Sequence, residues 1–431
     1  MAKILGLPQP DGVHDMKTGK RLAQGLVIGV FVFLSITCGL TNPSYSQLSY
    51  SILHNFGGTG DGFQPYYGGP AVSGAALYGM TQGGGGTGAS GVLYKINADG
   101  TGYQVLHTFK NDPPTGDGTS PRGSLTLSGS TLYGCCPYGG SPYIQVGGTV
   151  FKINTDGSGY QILYSFGGGT DNQCHPYAAP VVAGSTLYGT TAEKTGANTL
   201  GEIFALSTSS GVPQVLHNFA GKPDDGEQPY GSMTLVGSRL YGMTSFGGSG
   251  GGAGYGVIYA INTDGSDYRV LHHFQGAPND GTHPYGALTL VGSKLYGMAS
   301  GGGAANGPGV IFSINLDGTG YQVIFDFSST GNIGGPLGSL TLVGSKLYGM
   351  TSGGGSGGAS GVIFRINPDG TCFEVLHGFM SAAGDGGGAK GDLAVVGSNL
   401  YGWTYEGGAN GSGVFFSCQL PQSNPAIMLL E

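Results

Sequence analysis

The stretch "GSKLYGMTSGGG" at residues 344–355 repeats, with one change, "GSKLYGMASGGG" at residues 292–303. Its centre, Leu-Tyr-Gly, occurs seven times, with the tyrosines at Tyr78, Tyr133, Tyr188, Tyr241, Tyr296, Tyr348 and Tyr401, each 52 to 55 residues from the next. Two further blocks keep the same period. One begins with a glycine and runs into an apolar, aromatic stretch, starting at Gly91, Gly148, Gly201, Gly256, Gly309, Gly361 and Gly413. The other, mostly Val-Leu-His-x-Phe, ends at Phe56, Phe109, Phe166, Phe219, Phe274, Phe327 and Phe379.

One period reads as four short strands, here called a to d. In the sixth unit they are "SLTLV" (residues 339–343), "KLYGMT" (346–351), "GVIFRI" (361–366) and "CFEVLHGF" (372–379). The a–b and c–d connections are Gly-Ser and Asp-Gly, the residues of tight hairpins. A single sheet of this size cannot bury both faces, so the units must stack around an axis. The reading is all-β, a seven-bladed β-propeller of four-stranded blades; a parallel β-helix, whose coils are usually shorter, ranks second. Block order predicts how the ring closes. The repeats open with a lone strand d, "YSILHNF" (50–56), and stop after strand c of the last unit, "GVFFSC" (413–418). Pairing the two completes the seventh blade and removes two free sheet edges.

Glycine supplies 91 of 431 residues and only 9% are charged, which argues against long helices. Sixteen Lys and Arg against 24 Asp and Glu give a net charge of -8, and no basic run follows the first 21 residues. Nucleic acid is therefore excluded as a partner. Lys17, Lys20 and Arg21 precede the apolar "LAQGLVIGVFVFLSITCGL" (22–40), then Pro43 and Ser-Tyr-Ser at 44–46. This is an export signal, with cleavage expected after Ser46 and Met16 as an alternative start; an uncleaved signal anchor is the competing reading. The expected domains are a signal peptide at 1–46, the propeller at 47–420 and a short tail at 421–431. The expected location is secreted or at the cell surface, with no membrane segment after cleavage and the oligomeric state unknown. Five cysteines remain after cleavage, an odd number, and a disulfide between Cys136 and Cys174 is geometrically allowed because both lie toward one end of the second blade.

The blade "PYGALTLVGSKLYGMASGGG…GVIFSINLDGTGYQVIFDF" (284–327) resembles the GloVer tandem repeat of exported bacterial proteins of the choice-of-anchor type, and less closely a kelch repeat. The resemblance covers nearly all of the chain after the signal. It implies an exported repeat protein, often carrying a C-terminal surface anchor, and it implies no settled catalytic activity. The tail "QLPQSNPAIMLLE" (419–431) departs from that pattern, having no hydrophobic span followed by basic residues.

The a–b and c–d turns are short and the b–c and d–a loops long, so variation gathers at one end of the ring, where a ligand site is expected. The d–a loops present Asp61, Asp117, Asp225, Asp280 and Asp385 before a glycine, with Asp171 displaced and Asn332 standing in once. Such a ring of carboxylates would bind sugar hydroxyls or calcium. The plainer reading is that each Asp caps its own turn and each following Pro-Tyr packs between blades. No cofactor is expected; calcium is the only one entertained, and "GDG" supplies few of the oxygens it needs. Breaks in the repeat add Tyr143 in the insert "CCPYGGSPYIQVGG" (135–148), the segment "AEKTGANTLGE" (192–202), and Trp403, Tyr405 and Glu406 in the seventh blade, an aromatic face beside a carboxylate that suits carbohydrate.

Enzyme signatures are weak. Gly-x-Ser-x-Gly at 247–251 and 354–358 falls in glycine-rich loops without the strand-turn-helix setting of a nucleophile elbow. His54, His107, His217, His272 and His377 share one position of strand d, where Tyr164 and Phe325 replace them, so the position reads as one that wants bulk rather than a proton. The functional expectation is a binding or surface-interaction module for carbohydrate or a surface protein. The alternatives are a polysaccharide hydrolase or lyase using Glu406 with a loop aspartate at the channel mouth, and a structural envelope or matrix component.

Overall fold

A computed structural model describes residues 48–110, 116–140, 147–167, 173–194, 200–304, 307–382 and 384–421. The expected signal at 1–46, Tyr143, and all of the tail beyond residue 421 lie outside these residues. The chain is a seven-bladed β-propeller of antiparallel four-stranded blades in the order a-b-c-d. The a strands of neighbouring blades touch around the axis and the d strands form the rim. Among the described residues no helix is long and apolar enough to cross a membrane.

Closure is as the block order requires. Tyr50–Asn55 pairs antiparallel with Val414–Gln419, Tyr50 opposite Cys418 and Asn55 opposite Val414. Tyr50–Asn55 is thus strand d of the seventh blade.

The sequence blocks explain one another through cross-strand packing. The glycine of each Leu-Tyr-Gly lies opposite an aromatic residue of strand c: Gly79 opposite Tyr94, Gly242 opposite Tyr259, Gly297 opposite Phe312. A Cβ on Gly242 would sit 2.3 Å from the Tyr259 hydroxyl, and one on Gly297 would sit 2.4 Å from the Phe312 ring. No other residue fits beneath the ring. The leucines Leu77, Leu132, Leu187, Leu240, Leu295, Leu347 and Leu400 are all fully buried. The core is not a single mass but a set of wedges between blades. In one wedge Tyr401, Trp403 and Phe415 of blade 7 pack on Leu77, Val92 and Tyr94 of blade 1; in another Tyr241, Met243 and Phe274 of blade 4 pack on Leu295 and Phe312 of blade 5.

At the rim a polar latch ties blade to blade. Strand d carries a bulge at the residue before each position of the histidine set, for example at Leu271, where Ile258 pairs with His272 but Tyr259 pairs with Val270. A bulge re-aims the side chain that follows it. His272 stacks on Tyr321 of the next blade at 3.6 Å between centroids, its Nε2 lies 2.9 Å from Asp280, and the Tyr321 hydroxyl donates to the same carboxylate. Asp280 also accepts from the backbone N–H of Gly281 and of Gln275. The arrangement recurs as His54, Asp61 and Tyr103, and as His217, Asp225 and Tyr268. His377 bonds Asp385 and stacks on Tyr50, which also brings the closing strand into the set. His107 bonds Asp117 and stacks on Tyr160, whose hydroxyl reaches the Asp117 carbonyl instead of its carboxylate.

This corrects the reading of the histidines as bulk alone. Where Phe325 replaces His, Phe373 replaces the tyrosine and Asn332 the aspartate, and the two rings stack at 4.4 Å. The position wants bulk and a hydrogen bond together, or neither polar partner at all.

Closure and latch generate three predictions. A chain lacking residues 48–56 exposes the edge of Val414–Gln419; it is expected to self-associate in light scattering beyond the full chain, and a synthetic peptide of residues 48–57 is expected to reverse that association and raise the melting temperature. His272→Phe alone strands Asp280 and is expected to cost about 1–3 kcal/mol in urea denaturation. The triple replacement H272F, D280N, Y321F, which copies the Phe325 junction, recovers most of that loss. Burial pushes the Asp225 carboxyl up, but bonds from His217, Tyr268 and the N–H groups of Ala220 and Gly226 outweigh it and hold it below its ordinary value; Asp61 and Asp385 are lowered by their own latches against the same opposing burial. Carboxyls lowered by folding stabilise the fold above their unfolded value, about pH 4, and lose that contribution as pH falls through the folded values. Denaturation midpoints measured against pH are therefore expected to drop below about pH 4.

Candidate functional site: an aromatic and cationic platform on the axis

The long loops meet at one end of the ring. At every junction for which the pairing is described, the segment leaving strand d pairs with the b–c loop of the next blade, as in Gly62–Phe63 with Gly83–Gly84 and Gly226–Glu227 with Phe246–Gly247. Each d–a loop then turns inward and delivers one small residue to the axis: Gly68, Gly123, Ala178, Gly231, Gly286, Gly338 and Gly391. These backbones touch in sequence around the ring. A Cβ on Gly231 would lie 2.1 Å from the Gly286 carbonyl oxygen, one on Gly338 2.1 Å from that of Gly391, and one on Gly391 2.1 Å from that of Gly68. The cavity left among them is about 30 Å³, room for a water and no more. Asp392, next to the ring, accepts from the Ser339 N–H at 2.5 Å; burial pushes its carboxyl up against the pull of its bonds from Ser339 and Ser124.

A channel mouth is therefore not what this end offers. It offers a floor, and the residues just before the floor stand on it. They are Tyr67, Arg122, Tyr177, Tyr230, Tyr285, Leu337 and Lys390, with Tyr66 as an extra residue in the first loop. Tyr67 lies parallel to Tyr285, which enters four blades away, at 6.1 Å and 9°. Tyr285 continues to Tyr230 at 5.5 Å, and Tyr230 to Tyr177 at 5.1 Å. The Tyr177 and Tyr138 hydroxyls are 2.9 Å apart. Tyr66 meets Tyr67 edge-on at 4.4 Å and Tyr405 at 5.2 Å. Burial pushes the Tyr230 phenol up to about 12 and raises those of Tyr67, Tyr177 and Tyr285, so these hydroxyls stay protonated as donors.

Two cations lie in this aromatic surface. The Arg122 guanidinium is 4.9 Å from the Tyr66 centroid and 5.7 Å from those of Tyr138 and Tyr177. Lys390 Nζ is 4.5 Å from the Tyr66 centroid and 4.0 Å from that of Tyr405. At the border, His175 Nδ1 is 3.0 Å from a Glu193 carboxylate oxygen.

The sequence-derived candidates divide accordingly. Tyr405 is part of the platform. Trp403 is not: it is 1% exposed, and its indole N–H donates to the Tyr66 carbonyl at 3.0 Å, so it holds the loop that presents Tyr66 and shows no face to a ligand. Glu406 is exposed at the outer side, paired with Gly387 and 3.3 Å from the Ser381 hydroxyl. Asp61, Asp225, Asp280 and Asp385 have their oxygens taken by the latches, and Asp117 is bonded to His107, so no ring of free carboxylates forms. Cys136 is a free, buried thiol beside Gly118 and Thr149, and the side chain of Cys174, its expected partner, lies outside the described ones. Among the described residues no group of three or more His, Cys, Asp or Glu side chains is placed to hold a metal ion. The tyrosines of Pro-Tyr, read as packing between blades, converge on the axis instead. Arg122 and Lys390, the charged residues in the series that otherwise reads Tyr or Leu, were the available signal for the site.

No curated protein matches this chain. Among solved structures it is similar to an oligogalacturonate lyase from Vibrio parahaemolyticus at 12% identity and TM-score 0.53, covering 89% of this chain and 99% of that one. An oligogalacturonate lyase in complex with manganese gives 11% identity, TM-score 0.52 and the same coverages. A putative TolB from Agrobacterium tumefaciens gives 13% identity and TM-score 0.41 over 76% of this chain and 97% of that one. Likenesses this distant speak to the propeller fold alone. The repeat itself is more specific: residues 41–253 and 248–429 match the Gloeobacter/Verrucomicrobia repeat, and the chain belongs to that family.

Proposed function

We propose that this propeller is a binding module, exported to the cell surface or medium, that takes carbohydrate across the centre of its loop face. The observation that carries the reading is the continuous tyrosine platform on the axis, seated on a glycine floor, with Arg122 and Lys390 set among its rings. Flat sugar faces stack on such rings while the hydroxyls bond the donors around them. A floor without a pocket suits a polymer lying across it better than a small molecule enclosed by it. The export signal expected at residues 1–46 supports the reading, since an exported module meets glycans.

A second reading, a polysaccharide-cleaving enzyme, draws on one feature, the His175 imidazole and the Glu193 carboxylate 3.0 Å apart at the platform edge. Two oligogalacturonate lyases share the propeller architecture, which makes that chemistry worth testing. Residues 47–431 are expected to bind glycans on an array, and Tyr230→Ala is expected to weaken binding three- to tenfold by calorimetry, about one aromatic contact. Absence of binding to every glycan, with and without calcium, would refute the module. Chain shortening of a bound glycan that His175→Ala abolishes would establish the enzyme instead.

A further inference from the structure

We propose that the glycan is anionic, an oligosaccharide bearing oxyanions, and that Arg122 and Lys390 receive its carboxylates beside Tyr66. The inference rests on the platform reading and names its ligand class. Arg122 and Lys390 flank the same ring, at 4.9 and 4.5 Å from its centroid. Among the described residues neither has a carboxylate within ion-pair distance, although the protein carries more acidic than basic side chains. Glu193, the acid nearest in the platform border, is engaged by His175. Arg122 is partly buried, and its Nε is buried without any hydrogen-bond partner. A half-desolvated guanidinium held only by ring faces keeps its in-plane N–H groups for something outside the protein. Those groups form a planar fork, and the group that matches a planar fork is a carboxylate.

The repeat strengthens the argument. In the blades around them the same loop position is Tyr67, Tyr177, Tyr230, Tyr285 or Leu337, so blade construction does not call for a cation there. Two cations sharing one ring repel each other, a cost that a bound anion removes. Uronic acids combine a pyranose face for the tyrosines with a carboxylate for the cations. Sulfated sugars share the charge but not the planar geometry.

The test compares three probes on residues 47–431 by calorimetry: a trigalacturonate, its methyl ester, and a sulfated trisaccharide. Trigalacturonate is expected to bind ten- to hundredfold more tightly than its ester, one to two charge-assisted hydrogen bonds, and to weaken with added salt. Arg122→Gln, checked for an unchanged melting curve, is expected to bring the acid down to the affinity of the ester, with Arg122→Lys recovering only part. Lys390→Gln supplies an independent reading should Arg122 variants fail to fold. Equal binding of acid and ester would overturn the charge assignment and leave the platform standing. Tighter binding of the sulfated sugar would overturn the carboxylate assignment. Binding of none of the three would count against the platform itself.

Discussion

The structure depends on one steric fit, an aromatic side chain of strand c lying on a bare glycine of strand b. Tyr94, Tyr259 and Phe312 occupy the space where Gly79, Gly242 and Gly297 have no Cβ. The fit brings strands b and c close and leaves the leucine beside each glycine pointing into the wedge between blades. A blade built this way has two apolar faces and cannot stand alone, so the energetics of the repeat require a closed ring. Closure by Tyr50–Asn55 satisfies that requirement by making the two ends of the repeat array into one sheet.

The rim latches show how repetition and exception carry different information. His, Asp and Tyr come from three separate places in the repeat and meet only across a junction. At the Phe325 junction all three are replaced together, because a carboxylate left there without its donors would be buried and unpaired. Such concerted replacement marks a unit of structure. Arg122 and Lys390 behave in the opposite way, changing one loop position with no compensating carboxylate among the described residues, and the proposed ligand rests on that asymmetry.

The axis links the two themes. Seven loops converging on one point leave space only for glycine or alanine, and the floor they make is nearly solid. Side chains directly before that floor are then forced upward and outward into one surface, whatever their identity. The fold thus supplies a fixed seat for seven side chains, which the sequence fills with four tyrosines, one leucine and two cations. Trp403, buried below, bonds the Tyr66 carbonyl and holds the loop that carries Tyr66 and Tyr67.

The blade count, the strand order within a blade and the closing strand were all legible in the sequence, because each follows from a period, a block order and local turn chemistry. The role of the loop aspartates as turn caps was legible too, since Asp61, Asp225, Asp280 and Asp385 each bond the N–H of the glycine that follows. Which residues form the site was not. Tyr67 and Tyr285 lie more than two hundred positions apart and meet only because the ring brings opposite loops to one axis. Trp403 and Glu406 looked like a site because they are neighbours in sequence, yet alternation along a strand and its exit sends one into the wedge and the other to the outside. Local pattern determines the blade; the convergence of blades, a property of the closed ring, decides what stands at its centre.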